Sequence, residues 1–278
     1  MPRTNPDTPH GSWAIPGVRD PRFSQSLARG LAILRCFAPE RPVLGIADIA
    51  DELSMSRSTT HRYVITLVAL GFLEQGASRK YRLGLRGTDL GMSVLNATGL
   101  RERAHSALEE LRSQTSCTVS LAVQDGTEIV YVDRVRSFHQ GQSGIDDGLS
   151  PGSRLPAYAT AMGKLLLAQL PETELQELIA DMKLPKRGPN TITSKKKLLA
   201  ELDLIRQESF AVNDQELAAD LNAIAAPMRD ESGQVIAAIS LAAPGSMVSL
   251  QEMIEALGPQ LVSTADHISA RLGFRRNI

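Results

Sequence analysis

The chain has 278 residues, with 30 Lys/Arg against 31 Asp/Glu, 42% hydrophobic residues and 4% aromatics. That length allows two domains with a sizeable core, and no apolar run approaches the roughly 20 residues of a membrane-spanning helix. The charge is uneven: residues 1–86 carry 12 Arg/Lys against 7 Asp/Glu, and residues 87–278 carry 18 against 24, the split expected when one part faces nucleic acid and the other does not.

Residues 1–22 are polar and rich in Pro and Gly, lack a signal-peptide pattern, and read as a disordered lead. In residues 24–37, Leu27, Leu31 and Leu34 recur at i, i+4 and i+7, which predicts an amphipathic helix capped by Ser24 or Ser26. Pro39 and Pro42 break it. Residues 45–53 place Ile46, Ile49, Ala50 and Leu53 on one stripe of a short helix. A tight turn at Ser54 and Met55 leads to a second helix with Ser56 as N-cap, so the two must cross steeply, as in a helix-turn-helix.

Winding that second helix at about 100° per residue sorts it into two faces. Thr60, Tyr63, Val64, Leu67 and Leu70 form a core face; Ser58, His61, Arg62 and Ile65 form the opposite one, with Arg57 at its edge. Gly71 ends the helix. The DNA-reading candidates are Ser56, Arg57, Ser58, Thr59, His61 and Arg62, because Arg can read guanine and hydroxyls can reach phosphates. Two short strands at 72–75 and 80–83, joined by the turn 76–79, predict a wing, with Arg79, Lys80 and Arg82 placed to reach phosphates. The bland alternative is a solvated basic hairpin.

Residues 85–98 carry Leu90, Val94 and Leu95 without an obvious core and read as a linker helix ending near Gly99. A helix over 100–114 buries Leu100, Ala104, Leu108 and Leu111. A hairpin follows: a strand over 118–123, a turn at Asp125 and Gly126, and a return strand over 129–132. Residues 137–153 read as a loop, 159–170 as a small-residue helix, and 172–182 and 194–208 as surface helices, with Lys195, Lys196 and Lys197 a solvated face. A buried strand over 235–242 and a long helix over 249–272 complete the chain. Helices flanking mainly antiparallel strands make the second domain α+β.

These segments resemble the IclR family of bacterial transcriptional regulators. The residues that carry the likeness are SLARGLAILRCF, IADIADELSMSRSTTHRYVITLVALGFLE, YRLGLRGTDLG, GSRLPAYATAMGKLLLA and FAVNDQELAADLNAIAAPMRDESGQVIAAISLAAP, in the family order. The resemblance implies an α+β chain with four parts: a disordered lead (1–22), a winged helix-turn-helix (23–84), a linker helix (85–98) and a GAF/PAS-like effector domain (99–278). It implies homodimers on double-stranded operator DNA, often paired as dimers of dimers. SLARGLAI, GSRLPAY and VNDQEL look most like the regulators of protocatechuate, 4-hydroxybenzoate and β-ketoadipate catabolism. A repressor answering to glyoxylate, pyruvate or another short acid is the alternative within the family.

The same resemblance points to an effector site. Backbone N–H groups at Ala161, Met162 and Gly163 would take the carboxylate of a small organic acid, as orphan donors and the dipole of a helix N-terminus favour. Asn213, with Leu221 and Ala223, stands where the family often has an acid, and Ser240 precedes an Ala242 where some members have a second serine. Arg154 and Tyr158 flank the site in sequence and suit a carboxylate and a ring; their bland readings are a surface ion pair and a packed ring.

For catalysis the sequence offers no G-x-S-x-G, Gly-rich phosphate loop, H-E-x-x-H or Cys/His cluster. His105, His139 and His267 are scattered and read as surface residues without carboxylate partners at suggestive spacing. Cys36 and Cys117 read as small buried hydrophobes in a reducing compartment. The expectation is therefore a cytoplasmic regulator with no cofactor, no catalysis and no membrane contact. An enzyme with an accessory helix-turn-helix and an architectural DNA binder without effector are the other classes considered.

Overall fold

The computed structural model describes residues 21–38, 41–76, 78–97, 99–137 and 148–275. The leading segment up to residue 20, the turn residue Ala77 and His139 lie outside them. The chain divides into two compact units, Met1–Val94 and Leu95–Ile278.

The first unit opens with α1 (Gln25–Arg35), where Ser24 accepts from the Leu27 N–H at 3.3 Å. Of the expected stripe, Leu34 packs half-buried against the core, but Leu27 and Leu31 do not. Ala32, Ile33, Cys36 and Phe37 are buried, whereas Leu27 is 65% and Leu31 52% exposed. Periodicity locates an apolar stripe but cannot say what covers it, and among the described residues of this unit Leu27 and Leu31 stay largely uncovered. α2 (Ile46–Glu52) is entered through Gly45, whose N–H donates to Asp48 at 2.8 Å. α3 (Arg57–Ala69) buries Thr60, Val64 and Leu67 and leaves Tyr63 half-buried; Leu70, expected in the core, is its exposed C-cap.

Gly71, at φ +77°, stops α3 in a Schellman motif: its N–H donates to Val68 and that of Phe72 to Leu67, both at 2.9 Å. β1 (Leu73–Gln75) and β2 (Tyr81–Leu83) pair antiparallel as the wing, and Leu44 bridges to Tyr81 as a third strand position. α4 (Arg86–Ala97) crosses the division between units, with Leu90 and the preceding Leu85 exposed.

The second unit is built on a six-stranded antiparallel sheet, in the order β5-β4-β3-β8-β7-β6. Its strands are β3 (Thr118–Asp125), β4 (Glu128–Val135), β5 (Arg154–Pro156), β6 (Ala211–Asp214), β7 (Leu221–Arg229) and β8 (Val235–Pro244). β5, β6 and β7 were not expected from the sequence. β7, LNAIAAPMR, is Ala-rich, buried on both faces and contains Pro227, so it lacks both the alternation and the β-branched residues that announce a strand. Pro227 is accommodated because β6 pairs β7 only over 222–225, which leaves position 227 an edge on that side.

Two hydrophobic layers cover this sheet. α5 (Leu100–Thr115) and α10 (Gly258–Arg271) pack one face with Val119, Leu121, Ile224 and Ile239. α6 (Ala161–Ala168), α7 (Glu172–Asp181) and α8 (Lys195–Glu208) pack the other with Ala122, Tyr131, Ala225 and Ala238. The long C-terminal helix is interrupted: α9 (Leu250–Glu252) passes into a π-turn (Met253–Leu257) before α10, where Pro259 cannot donate the usual N–H.

Candidate nucleic-acid interface and effector site

α3 presents an exposed face on a buried spine. Arg57, Ser58, His61, Arg62, Ile65 and Thr66 all lie open to solvent. Among the described residues neither Arg57 nor Arg62 forms an ion pair. Their guanidinium groups are thus not employed in the fold. Ser56 and Thr59 are employed: Ser56 Oγ caps the Thr59 N–H at 3.1 Å, donates to Thr59 Oγ1 at 2.8 Å and lies 3.1 Å from Ser58 Oγ. They shape the helix start more than they extend from it. On the wing, Arg79 and Lys80 are exposed, with Arg79 at φ +55° in the turn. Arg82, expected to reach phosphates, instead pairs with the cross-strand Glu74, its Nη2 at 2.8 Å from the carboxylate.

The second candidate site lies around the start of α6. A 3₁₀ turn, Ala157–Ala159, feeds the helix, and Thr160 caps it by accepting from the Gly163 N–H at 3.1 Å. The Gly163 N–H is therefore taken, and only Ala161 and Met162 keep first-turn donors without an intrahelical acceptor. Gly163 serves close packing: a Cβ there would come within 2.3 Å of the Ala157 backbone. Asn213 holds the entry to the helix, donating to Ala159 O at 2.5 Å and accepting from the Glu216 N–H at 3.2 Å. Tyr158 is buried and its hydroxyl donates to Pro185 O at 2.6 Å.

Sheet register completes the wall. Ser240 lies directly opposite Ser120 and Ala225, and Ala242 opposite Thr118 and Ala223, with Asn213 next in that row. Leu221, Ala223 and Ala225 pack with Tyr158, Ala161 and Met162 in one cluster. Eight of the nine effector candidates thus border the α6 side of the sheet. Arg154 does not: on the edge strand, 46% exposed in its side chain, it pairs with Asp125 and, at 3.0 Å, with Glu128. Its ion pairs are the structural role.

A cation the sequence reading passed over takes a better position. Val132 is the extra residue of a β-bulge opposite the Leu121–Ala122 step, so Tyr131 and Arg134, three apart, project to the same face. Arg134 donates to Ser120 Oγ at 3.1 Å and lies over the Tyr131 ring at 5.4 Å. Burial, the largest influence, pushes its pKa down, as desolvation of a cation does. Arg134, Ser120 and Ser240 therefore form a polar row in an otherwise apolar wall.

Two further polar pairings are not legible in the sequence. Lys164, one residue past Gly163, is 1% exposed and meets Glu216 at 2.5 Å and Glu201 at 3.0 Å. Burial raises the pKa of Glu216 despite the opposing effect of Lys164. The only sequence signal was a lone charge inside the apolar run AMGKLLLA. His105, expected to lack a carboxylate partner, has one: its Nδ1 is 2.6 Å from the buried Asp133, 28 positions away in sequence. Among the described residues no group of His, Cys, Asp and Glu could hold a metal ion, and none of the helices is long and apolar enough to cross a membrane. Cys36 and Cys117 are buried free thiols, and burial pushes Cys36 up to about 11.

The comparisons with known proteins agree across the chain. The IclR helix-turn-helix domain model matches residues 26–77, and the model of the bacterial transcriptional regulator IclR C-terminal domain matches residues 92–270. The Pca regulon regulatory protein of Pseudomonas putida is 32% identical over 253 residues, covering 91% of this chain and 86% of that one. The p-hydroxybenzoate hydroxylase transcriptional activator of Acinetobacter baylyi is 33% identical over 261 residues, covering 94% and 95%. Among solved structures, an IclR homologue from Microbacterium hydrocarbonoxydans complexed with 4-hydroxybenzoate superposes with a TM-score of 0.77 at 29% identity, covering 89% and 98%.

Proposed function

This chain belongs to the IclR family of bacterial transcriptional regulators, and from that premise we propose that it controls genes of aromatic-acid catabolism in response to a small carboxylic acid. The observation that carries the effector class is the row of Arg134, Ser120 and Ser240 on the same sheet face as the open first-turn N–H groups of α6. Polar donors in an apolar wall of Ala122, Ala223 and Ala225 suit an acid with an apolar body. The relatives named for p-hydroxybenzoate hydroxylase and for the Pca regulon, and the neighbour complexed with 4-hydroxybenzoate, support an aromatic acid or a β-ketoadipate-type product.

In this reading α3 enters the major groove of operator DNA, with Arg57 and Arg62 reading bases and the wing's Arg79 and Lys80 on phosphates. The units act as DNA-binding and sensing domains, with α4 as the linker between them. The protein works as a homodimer, and two dimers combine through the sensing domains. The uncovered stripe of Leu27 and Leu31 supplies an apolar face for pairing the DNA-binding units. Binding the acid must favour one conformation over another for the operator to feel it.

A thermal-shift panel of protocatechuate, 4-hydroxybenzoate, β-ketoadipate, glyoxylate and pyruvate tests the effector class. Stabilisation by an aromatic acid or by β-ketoadipate is expected. Stabilisation by glyoxylate or pyruvate alone would move the assignment to short acids, and stabilisation by none would overturn it.

A further inference from the structure

The sensing unit carries an excess of acid, yet residues 182–200 hold Lys183, Lys186, Arg187, Lys195, Lys196 and Lys197 and not one Asp or Glu. All six are exposed. In sequence they form two arms, the loop after α7 and the first turn of α8. The fold joins the arms, because Lys195 Nζ donates to Ala180 O at the end of α7. Among the described residues no carboxylate pairs with any of the six. Glu201, the next acid along the chain, is turned inward to Lys164 at 3.0 Å.

A solvated charge run is ordinarily loose, and this one is pinned. Thr191 Oγ1 accepts from the Arg187 and Gly188 N–H groups at 3.0 and 2.8 Å and donates to Glu216 O at 2.6 Å. Gly188 donates to Glu216 O at 3.0 Å and has no room for a side chain, since a Cβ would fall 2.0 Å from Gln215 O. Tyr158 holds Pro185 from below. The lysines of α8 are also placed against electrostatics: Lys195, Lys196 and Lys197 occupy the positive end of its dipole, with no acid in the first turn and no side-chain cap from Ser194. Exposed cations on two joined segments repel one another, and an extended polyanion relieves that repulsion where the backbone between them is already ordered.

We propose that this patch is a second DNA-contacting surface: Lys183, Lys186, Arg187, Lys196 and Lys197 bind backbone phosphates of DNA outside the segment read by α3. DNA is the favoured polyanion because it is already the partner of this family, and its regularly spaced phosphates match a set of single-charge contacts that need no base recognition. The contact adds affinity and salt dependence without adding sequence preference.

The test uses the full chain with Lys186, Arg187, Lys196 and Lys197 all changed to Gln, leaving Lys195 and its carbonyl bond intact. Operator DNA selected from a random pool is prepared as a short fragment and as one with long flanks. Affinity is measured against salt, and footprints are recorded. On the long fragment, the slope of log K against log salt should fall by about 2 to 4 units, at about 0.9 per lost phosphate contact. The outer footprint should shrink, while binding to the short fragment stays unchanged. In an Arg57→Ala/Arg62→Ala background, residual binding to unrelated DNA should also weaken with the Gln changes, which separates failure of this surface from failure of the reading helix. Equal slopes and footprints for wild type and variant on the long fragment would overturn the proposal. So would a variant that binds DNA normally but transcribes poorly in vitro, which would assign the patch to a protein of the transcription machinery.

Discussion

The two units hold their functional groups in opposite ways. In the DNA-binding unit the candidates Arg57, His61 and Arg62 stand on an exposed face while Thr60, Val64 and Leu67 hold the helix from behind. In the sensing unit the candidates are part of the frame: Asn213 ties β6 to the 3₁₀ turn, Tyr158 ties that turn to the loop at Pro185, and Gly163 exists because no Cβ fits. The difference follows from the partners. A groove in DNA comes to a surface, so its readers can be structurally idle. A small-molecule effector must be enclosed, so the candidates for holding it must also seal a core. Mutations should therefore separate binding from stability in the first unit and entangle them in the second.

The largest effect is expected at Lys164. Lys164→Met leaves Glu216 buried without its cation, and losing one partner of a buried pair costs about 3–5 kcal/mol. Chemical denaturation should show that loss, with partial recovery in Lys164→Met/Glu216→Gln. A loss under about 1 kcal/mol would mean that the sensing unit is less integrated than its burial implies.

Next in size is Arg57→Ala with Arg62→Ala. Each bidentate base contact contributes about 1–3 kcal/mol of discrimination, so the pair should weaken operator binding by about 2–4 kcal/mol in fluorescence anisotropy. The melting temperature should not move, since among the described residues neither side chain forms an ion pair. A clear loss of stability would erase the contrast between the units.

Asn213→Asp sharpens it from the other side. The carboxylate cannot donate to Ala159 O, so that carbonyl loses its partner, and a new charge is buried with the Glu216 N–H as its donor. Stability should fall by about 1–3 kcal/mol and acid binding should weaken in the same variant, read by denaturation and calorimetry. Weakened binding at full stability would show that Asn213 serves the ligand alone.

The same contrast explains what could be read in advance. α3, its Ser56 cap and the Gly71 stop are local, and 3.6-residue periodicity exposes both faces of an amphipathic helix. The Ala-rich β7 is buried along most of its length, which removes the alternation that marks strands, and the edge strand β6 is only AVND, four residues ending in two poor strand formers, so neither announces itself. The stripe of Leu27, Leu31 and Leu34 gives the same pattern whether the covering surface is this chain or another. Arg134 and the pairing of His105 with Asp133 depend on a bulge and on strand register, which no spacing in sequence encodes.

The most direct test of the account is operator affinity with and without saturating acid. It should be measured with whichever panel acid stabilises the protein most. Coupling between sensing unit and reading helix predicts a change of roughly 5- to 150-fold, equivalent to about 1–3 kcal/mol. The change should vanish in a variant that no longer binds the acid. An acid that binds tightly yet leaves operator affinity and footprint the same would contradict the account.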